Sequence, residues 1–383
     1  MAIIVTYSTD SSVELALKTG NFDELKKEVE SYSEIDKVWL VTQDAINYSN
    51  RFFDVLHFPC GVRISRPLNW PIYYLRAFLT MRKHARVTSA IRAYGVGCPH
   101  AALLSRICRV PLVVSYEYEW SDQLLVAGRR SISYISRVIE SFIFSSADVV
   151  VGLSRRLCET AKRRGAKNVS RITNGVDMKS VPVVSIDERE KSRETLGLAN
   201  RKIVLYVGRL HRIKRIGDLI RAVDMLHKKG LDVSLLIVGE GEERSNLEKL
   251  VREMNLENEV FFVGGVPHEQ VYRFMQIADV LVLPSVMEGN PRVLIEAMFC
   301  KVVIVAANVV GINDLIISGE DGLLVSSFSL RELSLAIELV LSDQVLARRL
   351  VNQAYKKASE DFDLEKQLKR NVEVVSSVMR RPV

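Results

Sequence analysis

IVLYVGRL at residues 203 to 210, SLLIVGEGE at 234 to 242, VFFVGG at 260 to 265, VLVLPS at 280 to 285 and VVIVAA at 302 to 307 are short apolar runs rich in β-branched residues. Each is followed by a helix-like segment or a loop, the alternation of a parallel sheet covered by helices on both faces. They predict a Rossmann-like α/β domain. Towards the N-terminus, AIIVT (2 to 6), VWLVT (38 to 42), PLVVS (111 to 115) and DVVVG (148 to 152) repeat the pattern and predict a second doubly wound domain. At 383 residues the chain is too long for one ordinary core and suits two. After ITNGVD (172 to 177) a stretch with Pro182, many charges and no sustained apolar run reads as a connector. The expected organisation is a first domain over 1–180, a linker over 181–200, a second domain over 201–360, and a helical end over 361–383 placed to cross back to the first.

Composition narrows the function. Hydrophobic and charged fractions of 48% and 26% are those of a globular protein, and no run approaches the roughly 18 uninterrupted apolar residues of a membrane-spanning helix. The opening MAIIVTYSTD lacks the basic start and long apolar centre of a secretory signal, so a cytoplasmic protein is expected. Cys60, Cys98, Cys108, Cys158 and Cys300 are scattered, with no C-x-x-C pair, and read as reduced fillers rather than a metal site. The net charge of +7 favours an anionic partner: a phosphorylated substrate, a membrane surface or nucleic acid. Nucleic acid fits least, because the basic residues are dispersed and accompany no recognition motif.

Ligands of open α/β sheets bind at the carboxyl ends of the strands. The loop after VLVLPS carries Glu288, Gly289, Asn290, Pro291 and Arg292 and runs into a helix bearing Glu296. That spacing puts one carboxylate on the loop and one about a turn into the helix, suited to hydroxyls of two linked sugars, with the free N–H groups of the helix start between them for a phosphate. A loop charge and a helix-surface residue are the equally open alternative. The loop after IVLYVG brings Gly208, Arg209, His211, Arg212, Lys214 and Arg215 to a helix start, which fits a diphosphate clamp or a solvated basic turn. Gly239-Glu240-Gly241-Glu242-Glu243 lacks the third glycine of a dinucleotide fingerprint and carries three acids, so no NAD site is expected.

These motifs together resemble glycosyltransferase family 4, retaining enzymes of the GT-B fold. The resemblance rests on SSADVVVGLSRRL (145 to 157), ITNGVD, LYVGRL with Lys214, LLIVGEGE, VFFVGGVPHEQV (260 to 271), ADVLVLPSVMEGNPRVLIEAM (278 to 298) and GINDLIISGEDGLLV (311 to 325), in that order. It implies two Rossmann-like domains facing each other across a cleft, a nucleotide-sugar donor and metal-independent transfer with no resident cofactor. It implies further that Arg209 and Lys214 neutralise the donor diphosphate beside Gly208, and that Glu296 holds the ribose. Glu288 with backbone groups of Asn290, Pro291 and Arg292 would hold the donor sugar, and Val266 would lie against the base.

The N-terminal half departs from the family pattern. Ser8, Thr9, Asp10, Ser11 and Ser12 stand where many members have a Gly-Gly loop, and Tyr116-Glu117-Tyr118-Glu119-Trp120 follows PLVVS where many have a histidine. Glu117 and His100 are the candidates for that catalytic role. The acceptor, a glycan, glycolipid or lipid-linked saccharide, is expected on this half. LNWPIYYLRAFLTMRKHARV (68 to 87) mixes aromatic and basic residues as a segment lying on an anionic lipid surface would, with Arg129, Arg130 and Arg137 adding charge, or as an ordinary helix would. A sugar-nucleotide epimerase of GT-B fold and a catalytically silent nucleotide-sugar-binding protein are the competing functions.

Overall fold

A computed structural model of the protein describes residues 2–7, 37–42, 53–57, 70–95, 98–126 and 128–380. The chain divides into two units, Met1–Thr173 with Gln367–Val383, and Asn174–Lys366. The first holds strands β1 (Ala2–Tyr7), β2 (Lys37–Thr42), β3 (Phe53–His57), β4 (Ala90–Tyr94), β5 (Leu112–Tyr116), β6 (Val149–Gly152) and β7 (Val169–Arg171). They form a parallel sheet in the order β3-β2-β1-β4-β5-β6-β7, so strand order reverses between β1 and β4. Helices α1 (Trp70–His84), α2 (Pro99–Cys108), α3 (Trp120–Val126), α4 (Arg130–Ser146) and α5 (Arg155–Arg163) connect the later strands.

Successive strand side chains point to opposite faces, and the core is sorted accordingly. Ile4, Ile91, Ala93, Leu112, Val114 and Val150 share one buried cluster with Ala77 and Met81 of α1, Leu104 of α2 and Ile143 and Phe144 of α4. Their neighbours Ile3, Val5, Ala90, Val113, Val149 and Val151 form the cluster on the opposite face.

The second unit holds α6 (Ile186–Thr195), β8 (Lys202–Val207), α7 (Ile216–Lys228), β9 (Val233–Val238), α8 (Arg244–Glu253), β10 (Val260–Gly264), α9 (His268–Ile277), β11 (Val280–Leu283), α10 (Arg292–Phe299), β12 (Val303–Ala307), β13 (Leu323–Val325), α11 (Leu330–Ser342) and α12 (Gln344–Asp361). Its sheet is parallel, in the order β10-β9-β8-β11-β12-β13, and all six residues of β9 are buried, as a strand covered on both faces requires. Strand order reverses between β8 and β11, which pair directly. A crevice at the carboxyl ends of two such strands is where open α/β sheets take their ligands.

Residues 181–200 correct the expected linker. The helix α6 lies within them, opened by a capping box of Ser185 and Glu188. Arg193 Nε donates to the Ile277 carbonyl at 2.9 Å and Arg189 Nη2 to that of Ala278 at 3.0 Å, while both guanidinium groups reach Asp279. The charges that looked like connector polarity fasten this helix to the second unit. At the other end, α13 (Leu364–Val378) starts in the second unit and continues in the first. There Val375 joins the Ile3–Val5 face, Arg92 Nη2 donates to Asn371 Oδ1 at 2.9 Å, and Arg380 donates to the carbonyls of Arg109 and Ala85. Among the described residues no helix is long and apolar enough to cross a membrane.

Candidate functional site

The loops that follow β8 and β11 form the richest polar constellation of the second unit. Gly208 follows β8, and its N–H donates to the Val238 carbonyl at 3.0 Å. Leu210 N–H donates to Glu240 O at 2.9 Å, so the GRL loop lies against the GEGE loop. Gly239 makes this possible: its φ is +138°, and a Cβ there would sit 2.0 Å from the Gly208 carbonyl oxygen. The glycines that superficially suggested a dinucleotide fingerprint thus admit a neighbouring backbone. The buried Tyr206 hydroxyl donates to the Arg209 carbonyl at 3.0 Å, and the Arg209 side chain is exposed.

Past this point His211 Nδ1 accepts from Ile213 N–H at 3.3 Å, capping a short helical turn over Arg212–Lys214. Val286 N–H, from the loop after β11, donates to the Ile213 carbonyl at 2.9 Å and ties the two loops together. Lys214 Nζ then donates to Glu288 Oε1 at 2.6 Å, with the side chains 20% and 8% exposed. A charge-assisted bond this short, largely out of water, fixes both side chains. Gly311 holds the turn from its other side: at φ +91°, a Cβ there would meet the Glu288 and Gly289 carbonyl oxygens at 2.5 and 2.6 Å.

Asn290 is buried, and its Oδ1 accepts from Asn174 N–H at 3.2 Å while Asn174 Nδ2 donates to Asn290 O at 2.8 Å. The ITNGVD motif therefore braces the entry to α10. That helix has the buried Pro291 as its cap and no side chain accepting from its first N–H groups. Arg292 opens it, and Glu296 one turn on is only 5% exposed, within 2.8 Å of His268 Nε2 and 3.9 Å of Arg292 Nε. Neither carboxylate is the solvated surface charge that spacing alone allowed. His268 follows Val266 and Pro267 at the start of α9 and meets Tyr272 edge-on at 5.1 Å. Burial, with the Glu296 charge adding, pushes the Tyr272 phenol up to about 12 and keeps it protonated. Sequence reasoning did not single out His268, Asn174 or Gly311; the motifs containing them were visible, but the contacts that give them a purpose are tertiary.

The N-terminal candidates lie in different surroundings. Glu117 is the first residue past β5 and is half-buried. His100, second in α2, is 2% exposed, stacked on Tyr74 and edge-on to Tyr73, with Nε2 3.0 Å from Thr6 Oγ1 on β1. Burial lowers its pKa to about 3, so the ring is neutral, and Nδ1 has no hydrogen-bond partner among the described residues. The helices behind Glu117 carry an ion network that sequence reasoning missed. Glu140, fully buried, accepts from Ser121 Oγ at 3.0 Å and pairs with Arg164, while Arg156 Nη2 meets Glu119 Oε2 at 2.6 Å. Ser8 to Ser12, in place of the Gly-Gly loop, lie outside the described residues. No group of three or more His, Cys, Asp or Glu residues placed to hold a metal occurs among the described residues.

A family profile, "Glycosyl transferases group 1", matches residues 188–357. The chain is 30% identical over 275 residues to the alpha-D-kanosaminyltransferase of Streptomyces kanamyceticus, covering 70% of this chain and 71% of that one. It is 27% identical over 246 residues to a glycogen synthase of Mycobacterium tuberculosis, covering 62% of this chain and 57% of that enzyme. Among solved structures, Anabaena HepE in complex with UDP superposes with a TM-score of 0.79 at 21% identity, over 98% of this chain and all of that one. Sucrose-phosphate synthase of Thermosynechococcus elongatus gives 0.80 at 22% identity over 99% of both chains. At such identities the likeness shows the fold, and it is the fold expected from the strand runs. The chain belongs to the group 1 glycosyl transferases, glycosyltransferase family 4, the retaining nucleotide-sugar-dependent enzymes of GT-B fold.

Proposed function

We propose that the second unit is the donor domain of a hexosyltransferase and binds a nucleotide-diphosphate sugar in the loops after β8 and β11, without a metal. The first unit then holds a glycan, glycolipid or lipid-linked saccharide acceptor, on the cytoplasmic side of a membrane. The observation that carries this is the joining of the two strand-end loops through Lys214 and Glu288 at 2.6 Å, with the buried Glu296 one turn into the adjoining helix.

The chemistry follows from those positions. The bond from C1 of the sugar to the diphosphate oxygen breaks, an acceptor hydroxyl bonds to C1 on the same face, and its proton passes to the departing phosphate oxygen. Charge grows on that oxygen, so cations held in place before the reaction lower the barrier most. Lys214 is such a cation, and Arg209, exposed beside Gly208, is the second. With Lys214 held on Glu288 Oε1 and facing the diphosphate, Glu288 accepts from sugar hydroxyls through its other oxygen, next to the backbone of Asn290, Pro291 and Arg292. Glu296 is held by His268 for the ribose hydroxyls, and Val266 flanks the base. Glu117, half-buried just past β5, is the candidate to act on the acceptor, whereas the enclosed His100 serves as a neutral core residue.

The test is thermal unfolding of the full chain with EDTA against UDP-, GDP-, ADP- and dTDP-sugars, beside Glu296→Ala. A ligand that binds only the folded state raises its stability by mass action. One nucleotide series stabilising the parent but not the variant is the expected result; no stabilisation by any series overturns the donor assignment.

A further inference from the structure

Three helices of the first unit form one layer. Tyr73 and Tyr74 of α1 contact His100 of α2, and Arg106 of α2 donates to Ser145 of α4 while lying over the Phe142 ring. Each helix buries one side in the same core cluster. On the side turned away from that core each also carries apolar residues at helical spacing, which a helix facing water has no reason to keep. On α1 these are Ile72, Leu75 and Leu79, exposed by 42%, 59% and 48%. On α2 they are Leu103 and Ile107, and on α4 Ile132, Ile135 and Val138. Intervals of three and four make each set a stripe along its helix. Scattered exposed apolar residues are ordinary, but parallel stripes on packed neighbours mark an interaction surface.

The charges identify the partner. The sequences of α1, α2 and α4 contain a single acidic residue, Glu140, and it is fully buried. Arg76, Arg82 and Lys83 of α1, Arg106 of α2 and Arg130 and Arg137 of α4 are all exposed, and Arg86, Arg109 and Arg129 sit at the helix ends. Of these, Arg137 is tied to Asp122 of α3 at 3.2 Å. An apolar surface rimmed by arginine and lysine, with no exposed carboxylate on its three helices, complements negative phosphates above hydrocarbon. It is poorly suited to a second copy of itself, whose like charges would meet. We infer that the α1–α2–α4 face docks the protein peripherally on an anionic phospholipid bilayer, with the apolar stripes in the interfacial region and the cations at the headgroups. The inference does not rest on the donor assignment, since it needs neither nucleotide nor turnover.

The full chain is mixed with vesicles of phosphatidylglycerol and phosphatidylcholine, or of phosphatidylcholine alone, and bound protein is measured by flotation at low and high salt. Binding to the anionic vesicles that falls with salt is expected, with little on neutral ones. Each cation contributes about fivefold in affinity near the surface, so Arg82→Glu with Lys83→Glu lowers binding by well over tenfold. Leu75→Gln with Ile135→Gln lowers it too while leaving thermal unfolding and donor binding unchanged, because both side chains are exposed. Absence of binding to anionic vesicles, equal binding to neutral ones, or binding indifferent to both double variants overturns the inference. So does a dimer in solution that the Gln variants dissociate.

Discussion

Among the described residues, the two units place their polar groups on opposite plans. In the second unit the loops after β8 and β11 press backbone on backbone, through Gly239 and Gly311, and deliver Lys214, Glu288 and Glu296 in fixed poses with a polar partner each. In the first, His100 is sealed between tyrosines and Glu140 is buried in an ion network, so polar groups are spent inside the domain. A site for a ligand of constant chemistry, a nucleotide diphosphate, rewards rigidity. If the first unit takes the acceptor and docks on lipid as proposed, its distinctive residues are the exposed apolar ones in the stripes of α1, α2 and α4. Chemistry concentrated in the second unit should make it the more sensitive of the two to small substitutions.

The largest break in that contrast comes from Lys214→Ala. Losing a preorganised cation at the developing charge lowers kcat by about a hundredfold to a thousandfold. Glu117→Gln in the first unit should leave donor affinity untouched and alter only acceptor-dependent turnover. Steady-state kinetics with the donor identified by thermal unfolding separates them; equal losses of donor affinity in both variants would abolish the contrast.

Gly239→Ala tests whether the rigidity is backbone-borne. Its Cβ cannot remain 2.0 Å from a carbonyl oxygen, so the GRL loop must shift. A loss of about 1–3 kcal/mol is expected, by the usual scale for strain at special backbone positions, with donor binding lost alongside. Urea unfolding and nucleotide titration measure the two effects. A stable variant that has lost donor binding would place the role of Gly239 in the site alone.

Glu296→Gln sharpens the comparison within the second unit. Hydrogen bonds to a charged acceptor contribute about 1.5–3 kcal/mol, so nucleotide affinity should fall roughly tenfold to a hundredfold. His268→Asn, which removes only the group orienting that carboxylate, should cost less. If His268→Asn weakens binding as much as Glu296→Gln, the histidine touches the nucleotide itself.

How far these plans were legible in the sequence differs in the same way. The strand runs predicted two parallel sheets, because a buried parallel strand must be apolar along its length, and β11 was read from its first residue, but β3, β4, β7 and β13 were not among the runs. The E-x7-E spacing placed Glu288 and Glu296, since a loop and one helical turn are local geometry. What else escaped was non-local. The α6 helix passed for a linker because its stabilising partners, the Ile277 and Ala278 carbonyls and Asp279, lie some 80 to 90 residues away. His268 escaped because its partner sits on another helix. The exposed stripe of α1 was ambiguous because composition does not say which aromatic residues turn inward; the structure buries Tyr73 and exposes Leu75 and Leu79.

His100 marks the first unit as a place where polarity is internal among the described residues. Its folded pKa of about 3 lies below the ordinary 6.5 that it regains on unfolding. Above pH 6.5 neither state is protonated there, and the full stability is present. As pH falls from 6.5 towards 3, the unfolded chain takes up a proton that the folded one refuses, and stability drops by about 1.4 kcal/mol per pH unit. His100→Gln keeps a partner for Thr6 and removes the titration, so the difference in urea midpoint between parent and variant should shrink as the solution is acidified. A difference that stays constant from neutral pH down to pH 4 would mean that the ring takes up its proton in place. His100 would then return to the candidates for acid–base work beside Glu117.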